Sequence, residues 1–355
     1  MRQVKGLWRV LVLLGGVWGA LLLPPPVAAV PLTQLYEAEV PAADQGAEAR
    51  ATALGEALAE VLVRISGDRA MQRQPGVNAL LASPGRYVQQ YRYQPAGDAA
   101  VDEAPWRLWV RFDGAGLERA LRDLGLPYWG RERPETLVWL AVEEGGRRQL
   151  LGEPDESPVK AWLQAAAQRR GLPLVFPLLD MEDRSQVRFS DIWGGFLEPL
   201  QRASERYRPQ ALLIGRLYQT ATGAWQAHWI LQVQGNEQRW SGSDRQLAGL
   251  AAEGVERAAD ALAARFAVYD TGGAGDHVRV TIAGVQRLED YARLNRYFAS
   301  LSAVQSAQLL ALSGDRAEYQ LQLQGDLAGL ERALSIGSLL VPDPAAGPLQ
   351  YRLQP

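Results

Sequence analysis

The stretch from Val278 to Leu353 constrains the fold more tightly than any other. Val278, Val280 and Ile282 alternate with Arg279 and Thr281, the two-residue period of a strand with one buried face. Tyr291, Leu294, Phe298 and Leu301 recur at helical spacing over Leu288–Leu301. Val304–Leu312 reads as a second strand. Gly314-Asp315 turns it into a third, where Tyr319, Leu321 and Leu323 alternate with glutamines. A helix over Leu327–Leu334 and a strand over Leu349–Leu353 complete β-α-β-β-α-β, the ferredoxin-like order.

The same mixture runs upstream. Leu54, Leu58, Val61, Leu62 and Ile65 form one stripe of a helix over Ala47–Ile65, after a strand at 34–43. Tyr87–Tyr93 and Trp106–Asp113 read as strands, and Ala115–Leu124 as a helix. Further on, strands are expected at Thr136–Val142, Leu174–Leu179, Ala211–Tyr218 and Trp225–Gly235. Helices are expected from Pro158 to Arg170, over Leu197–Tyr207 and over Asp244–Ala267. Glu143–Glu156 and Asp180–Gly195 read as polar connections. The expectation is an α+β protein of tandem modules: an N-terminal one at 30–133, a central α/β one at 134–270, a glycine-rich linker at 271–275 and the ferredoxin-like one at 276–355. Ala-Gly-Leu-Glu-Arg-Ala-Leu occurs at 115–121 and again at 328–334, each time after an alternating strand.

The first residues carry an address. Arg2, Lys5 and Arg9 precede the apolar run Val10–Leu23, three prolines and Val27-Ala28-Ala29. This is the pattern of a secretory signal peptide over residues 1–29, cut after Ala29. An uncleaved membrane anchor is the alternative, but Leu7–Leu23 is short of the ~20 apolar residues of a span. Cleavage leaves no membrane span and a periplasmic protein. It removes three cations, taking the formal charge from −3 to −6. With no cysteine, disulfides, thiolate chemistry and lipid attachment are excluded. The acidic balance argues against a nucleic-acid partner.

Several strings fall in one order: Val63–Gly67, Tyr87–Tyr93, Leu108–Asp113, Leu126–Gly130, Leu137–Glu143, Asp191–Phe196, Ala203–Tyr207, Leu213–Leu217 and Gly223–Leu231. Together they resemble the bacterial family called domain of unknown function 2066. The resemblance implies an exported protein of a diderm bacterium and brings no activity or catalytic residue.

Motifs with chemistry are sparse. Ser157-Pro158-Val159-Lys160 fits S-x-x-K, yet Ser157 also suits a helix N-cap, and no K-T-G partner exists. Of the two histidines, His228 alternates onto the polar side of its strand and His277 borders the linker. Asp180, Glu182 and Asp183 lack the glycine and distal glutamate of a calcium loop. No cofactor, metal or catalytic residue is assigned. A partner surface is the sharper expectation. Trp109 points away from its strand's apolar face, between Arg107 and Arg111, and Trp129 and Trp193 sit beside glycines. The functional expectation is a non-enzymatic envelope binding or assembly factor with a protein or cell-wall partner. The alternatives are a periplasmic hydrolase with a scattered site and a structural homo-oligomer.

Overall fold

The structure, a computed structural model, describes residues 34–96, 104–269, 277–337 and 339–354. The signal segment with Ala29 and the linker at 271–275 lie outside the described residues. The chain is α+β, with three sheets among the described residues.

The first sheet begins with β1 (Glu37–Ala42), followed by α1 (Ala47–Ser66) and a short α2 (Val77–Leu81). Then come β2 (Val88–Pro95), β3 (Trp106–Phe112) and α3 (Gly114–Asp123). The order is β1-β3-β2, all antiparallel. Leu58, Leu62 and Ile65 of α1 and Leu117 and Leu121 of α3 are buried with Leu108, Val110 and Phe112 of β3. The opposite face of β3 carries Arg107, Trp109 and Arg111.

The second sheet is built from β4 (Thr136–Glu144), β5 (Arg147–Leu151), α4 (Pro158–Arg170), β6 (Leu174–Val175), α5 (Met181–Gln186), α6 (Phe189–Gly194), α7 (Leu197–Ser204), β7 (Ala211–Gln219), β8 (Trp225–Val233), β9 (Asn236–Asp244) and α8 (Leu247–Phe266). Its order is β5-β4-β7-β8-β9, with β6 beside β4. Alternation along β4 explains the layering. Val138 and Leu140 join the core beneath α4 and α8, while Leu137, Trp139 and Ala141 join the core under α6 and α7. The two stretches read as polar connections hold β5, α5 and α6. Gly145 and Gly146, both at positive φ, make the hairpin turn into β5. The Asp180 side chain accepts from the Asp183 N–H and starts α5. These helices of six residues each are too short for a stripe to announce them.

The third sheet follows β10 (His277–Ala283), α9 (Leu288–Ser300), β11 (Val304–Ser313), β12 (Arg316–Leu323), α10 (Leu327–Ile336), β13 (Leu340–Pro342) and β14 (Gln350–Leu353). The β-α-β-β-α-β order is present with one added strand. The sheet order is β11-β12-β10-β14-β13, and β14 runs parallel to β10 because β13 and β14 form an antiparallel pair at the edge. The repeated heptapeptide lies in α3 and α10. Its leucines occupy matching buried positions, Leu117 and Leu121 in one copy and Leu330 and Leu334 in the other.

The segment Tyr128–Arg133 ties the first two sheets together. The Tyr128 N–H donates to the Val268 carbonyl, and the Trp129 N–H to that of Ile65. Arg133 is buried and donates to the carbonyls of Arg64, Arg170 and Gly171, at the C-terminal ends of α1 and α4. Those oxygens have no partner within their helices, so one guanidinium satisfies two helix ends.

Candidate functional site

A cleft opens between the C-terminal end of α6 and the face of the second sheet that α6 and α7 leave uncovered. Strand register builds its floor as a grid. Arg216 on β7 faces His228 on β8, and His228 faces Ser241 on β9. One row over stand Ile214, Ile230 and Arg239; on the other side stand Tyr218, Gln226 and Ser243. Two-residue alternation puts all nine side chains on one face.

Trp193 on α6 forms the wall. Its ring stacks on Phe189 at 5.1 Å and lies 5.5 Å from the Tyr218 ring, which is parallel to the His228 imidazole at 6.0 Å. The Arg216 guanidinium lies 5.9 Å from the Trp193 ring and donates to the Trp193 carbonyl, an orphan acceptor at the end of α6. Arg216 Nε is buried without a hydrogen-bond partner. Arg239, held by Glu237, reaches back so that a Cβ on Gly195 would lie 3.7 Å from its Nη1. The cleft encloses about 290 Å³, and no carboxylate is among its lining residues. His228 Nε2 lies 3.4 Å from the Tyr218 hydroxyl. Burial, and then the positive charge of Arg216, hold its pKa below the ordinary histidine value.

The residues expected to share a partner surface fall in three places. Trp193 lies in the cleft. Arg107, Trp109 and Arg111 lie on the outward face of β3, with Arg107 and Trp109 half-buried, where the guanidiniums of Arg92 and Arg111 stand 4.3 and 5.2 Å from the Trp109 ring and Arg111 pairs with Glu37 at 2.7 Å. Trp129 requires a correction. It is 1% exposed, packed in the central core beneath the Arg133 guanidinium, and presents no surface. His228 stands on the polar side of its strand as expected, and Arg216 and Arg239, which no sequence motif marks, join it there. The alternation of β7, β8 and β9 already put them on polar faces. Which strands are neighbours, and that α6 exists, was needed to bring them together.

The other motifs resolve structurally. The Ser157 side chain accepts from the Lys160 N–H as the cap of α4, and the Lys160 amine binds Glu153. Arg206 and the Tyr207 hydroxyl engage Asp183, and Arg206 also binds Asp180. Among the described residues no group of three His, Cys, Asp or Glu could hold a metal ion, and no helix is long and apolar enough to cross a membrane.

The chain is thus an α+β protein with a basic, aromatic-walled cleft. Residues 29–130 match a domain of unknown function, DUF8605. This corrects the resemblance to domain of unknown function 2066, since DUF8605 is a different family. Strings such as an apolar strand or a Trp-Gly turn recur wherever short strands meet helices, so their order alone misassigned the family. Comparison with the curated proteins finds no match. A solved structure described as "Crystal structure of uncharacterized protein" is 12% identical, with 38% of this chain and 93% of that chain covered at a TM-score of 0.18.

Proposed function

We propose that this chain is a non-enzymatic binding protein of the cell envelope, and that its ligand carries an anionic group held in the α6–β9 cleft. One observation carries the reading: Arg216, His228, Arg239 and Ser241 converge where no carboxylate lines the cleft, and Arg216 Nε is buried without a partner. A buried donor without an acceptor costs ~1–3 kcal/mol, which an anionic oxygen offsets. Trp193 supplies a flat apolar wall, so the ligand is a carboxylate or phosphate on a small ring. The volume, about 290 Å³, sits near the lower end of ligand pockets at roughly 300 Å³. Binding is favoured over hydrolysis by the geometry of the Ser241–His228 pair. The imidazole meets the Tyr218 hydroxyl, and no carboxylate orients it within the cleft.

Export to the periplasm belongs to the same proposal. It rests on the charged, apolar and small-residue pattern of residues 1–29, with cleavage after Ala29 and three modules at 30–133, 134–270 and 276–355 in the exported chain.

Titration with inorganic phosphate, phenyl phosphate and benzoate, followed by tryptophan fluorescence and by calorimetry, tests the ligand class. A saturable change is expected, weakened ~10-fold or more by Arg216→Gln or Arg239→Gln, as for the loss of a charge-assisted bond. Trp193→Phe should remove most of the fluorescence response while calorimetry still registers binding. No saturable binding, or binding indifferent to both arginine variants, overturns the reading. Fractionation of cells expressing the full chain, with the mass of the recovered protein, tests export: a cytosolic protein of full length would sink it.

A further inference from the structure

Among the described residues the sheet edges are protected, with one exception. An edge strand exposes a row of unpaired N–H and C=O groups, and charges, prolines or short length keep it from pairing with another chain. In the first sheet, β1 carries Glu37, Glu39 and Pro41, and β2 carries Arg92 and Pro95. In the second, β5 carries Arg147 and Arg148, β6 has two residues, and β9 carries Glu237, Arg239 and Asp244. In the third, β13 has three residues and ends in Pro342. The remaining edge is β11, VQSAQLLALS, ten residues with neither a charge nor a proline.

This strand also exposes apolar side chains. Leu310 is 40% and Leu312 57% exposed. The pairing with β12 shifts register between Leu309 and Ala311, which leaves Leu310 outside the ladder. A second shift lies between Val304 and Ser306, and the regular run between the two, Ser306–Leu309, is uncharged throughout.

We propose that β11 pairs antiparallel with β11 of a second copy of this chain, joining two five-stranded sheets into one across a two-fold axis. A second copy is favoured over a foreign strand for a physical reason. An antiparallel pair of identical strands is self-complementary, and a neutral strand meets no like charge when it faces itself. A charged partner strand would find nothing on β11 to pair with. Strand pairing alone buries less than the ~1,200 Å² of a stable interface, so the dimer forms at high concentration.

Sedimentation equilibrium of the full chain without residues 1–29, from about 1 to about 500 µM, reads the association; a monomer–dimer equilibrium is expected toward the top of that range. The double variant Leu310→Lys/Leu312→Lys puts like charges across the pair and should weaken association ~10-fold or more. Both side chains are exposed, so an unchanged thermal midpoint certifies the fold. Because the chain has no cysteine, single-cysteine variants along β11 give a second readout. Gln308→Cys, Leu310→Cys and Leu312→Cys are oxidised in turn. One position near the axis should give a linked dimer, since paired strands place Cα atoms ~4.5–5.5 Å apart. Gln320→Cys, on the interior strand β12, should not. A chain that stays monomeric throughout, as it would if β11 served only a foreign strand, overturns the proposal. So does a dimer that the lysine variant leaves intact.

Discussion

Arg133 spends all its hydrogen bonds on backbone oxygens, those of Arg64, Trp129, Gly130, Arg170 and Gly171. Burial pushes its pKa down to about 9, which still leaves a cation at neutral pH. Arg133→Met removes the charge and strands these oxygens, and a loss of about 3 kcal/mol in a urea titration is expected, close to that of breaking a buried ionic contact. Arg133→Lys should recover little, because one ammonium cannot span two helix ends. His228 makes a different residue-scale prediction. Its folded pKa is depressed, first by burial and then by Arg216, so the stability it contributes is present above the unfolded value and is lost as pH falls through the folded one. Arg216→Gln should move the imidazole titration, followed by NMR, toward ~6.5. A bound anion should move it the same way in the unaltered protein. An imidazole that titrates identically in all three samples would contradict the electrostatic account of the cleft.

At the scale of elements, α8 lies on the second sheet closer than a side chain permits. A Cβ on Gly254 would come 2.2 Å from Trp229 Cε2, and one on Gly215 would come 2.3 Å from Trp229 Cζ3. The Trp229 ring is clamped between two backbones. Gly254→Ala should therefore destabilise by ~1–3 kcal/mol through overpacking, even though alanine favours a helix by up to ~1 kcal/mol. Thermal unfolding of the variant beside Gly249→Ala, whose Cβ would meet nothing within 4 Å, separates the two effects. The clamp marks what a sequence makes legible. The stripe of α1, the alternation of β12 and the cap at Ser157 were all readable, since each depends on neighbours in the chain. A mid-helix glycine that exists to admit a tryptophan from β8 depends on packing across about 25 residues. Likewise, α6 was hidden by its length, and with it the meeting of Trp193 with Arg216 and His228. The floor of the cleft was written in the polar phase of three strands, but their adjacency was not.

For the whole molecule, the segment Tyr128–Arg133 is where all three sheets meet. The Tyr128 hydroxyl lies 2.6 Å from that of Tyr36, its backbone pairs with Val268, and Arg133 joins α1 to α4. Glu132 adds the third sheet, accepting from both the N–H and the hydroxyl of Ser302 at 3.1 Å. Burial raises the Glu132 pKa above the ordinary carboxylate value, and the two Ser302 bonds only partly oppose it. A carboxyl with a raised folded pKa contributes stability below its unfolded value, and that contribution is lost as pH rises through the folded one. As pH rises, the cost of ionising this buried carboxyl therefore weakens the attachment of the third sheet. Glu132→Gln keeps an oxygen for Ser302 and never ionises. The variant and the parent should unfold at similar urea concentrations near pH 4, and the variant should be the more stable near pH 7.5. Subtracting the two pH profiles cancels every other titrating group, so a constant gap across that range would show that burial of this carboxyl is not what sets the strength of the junction.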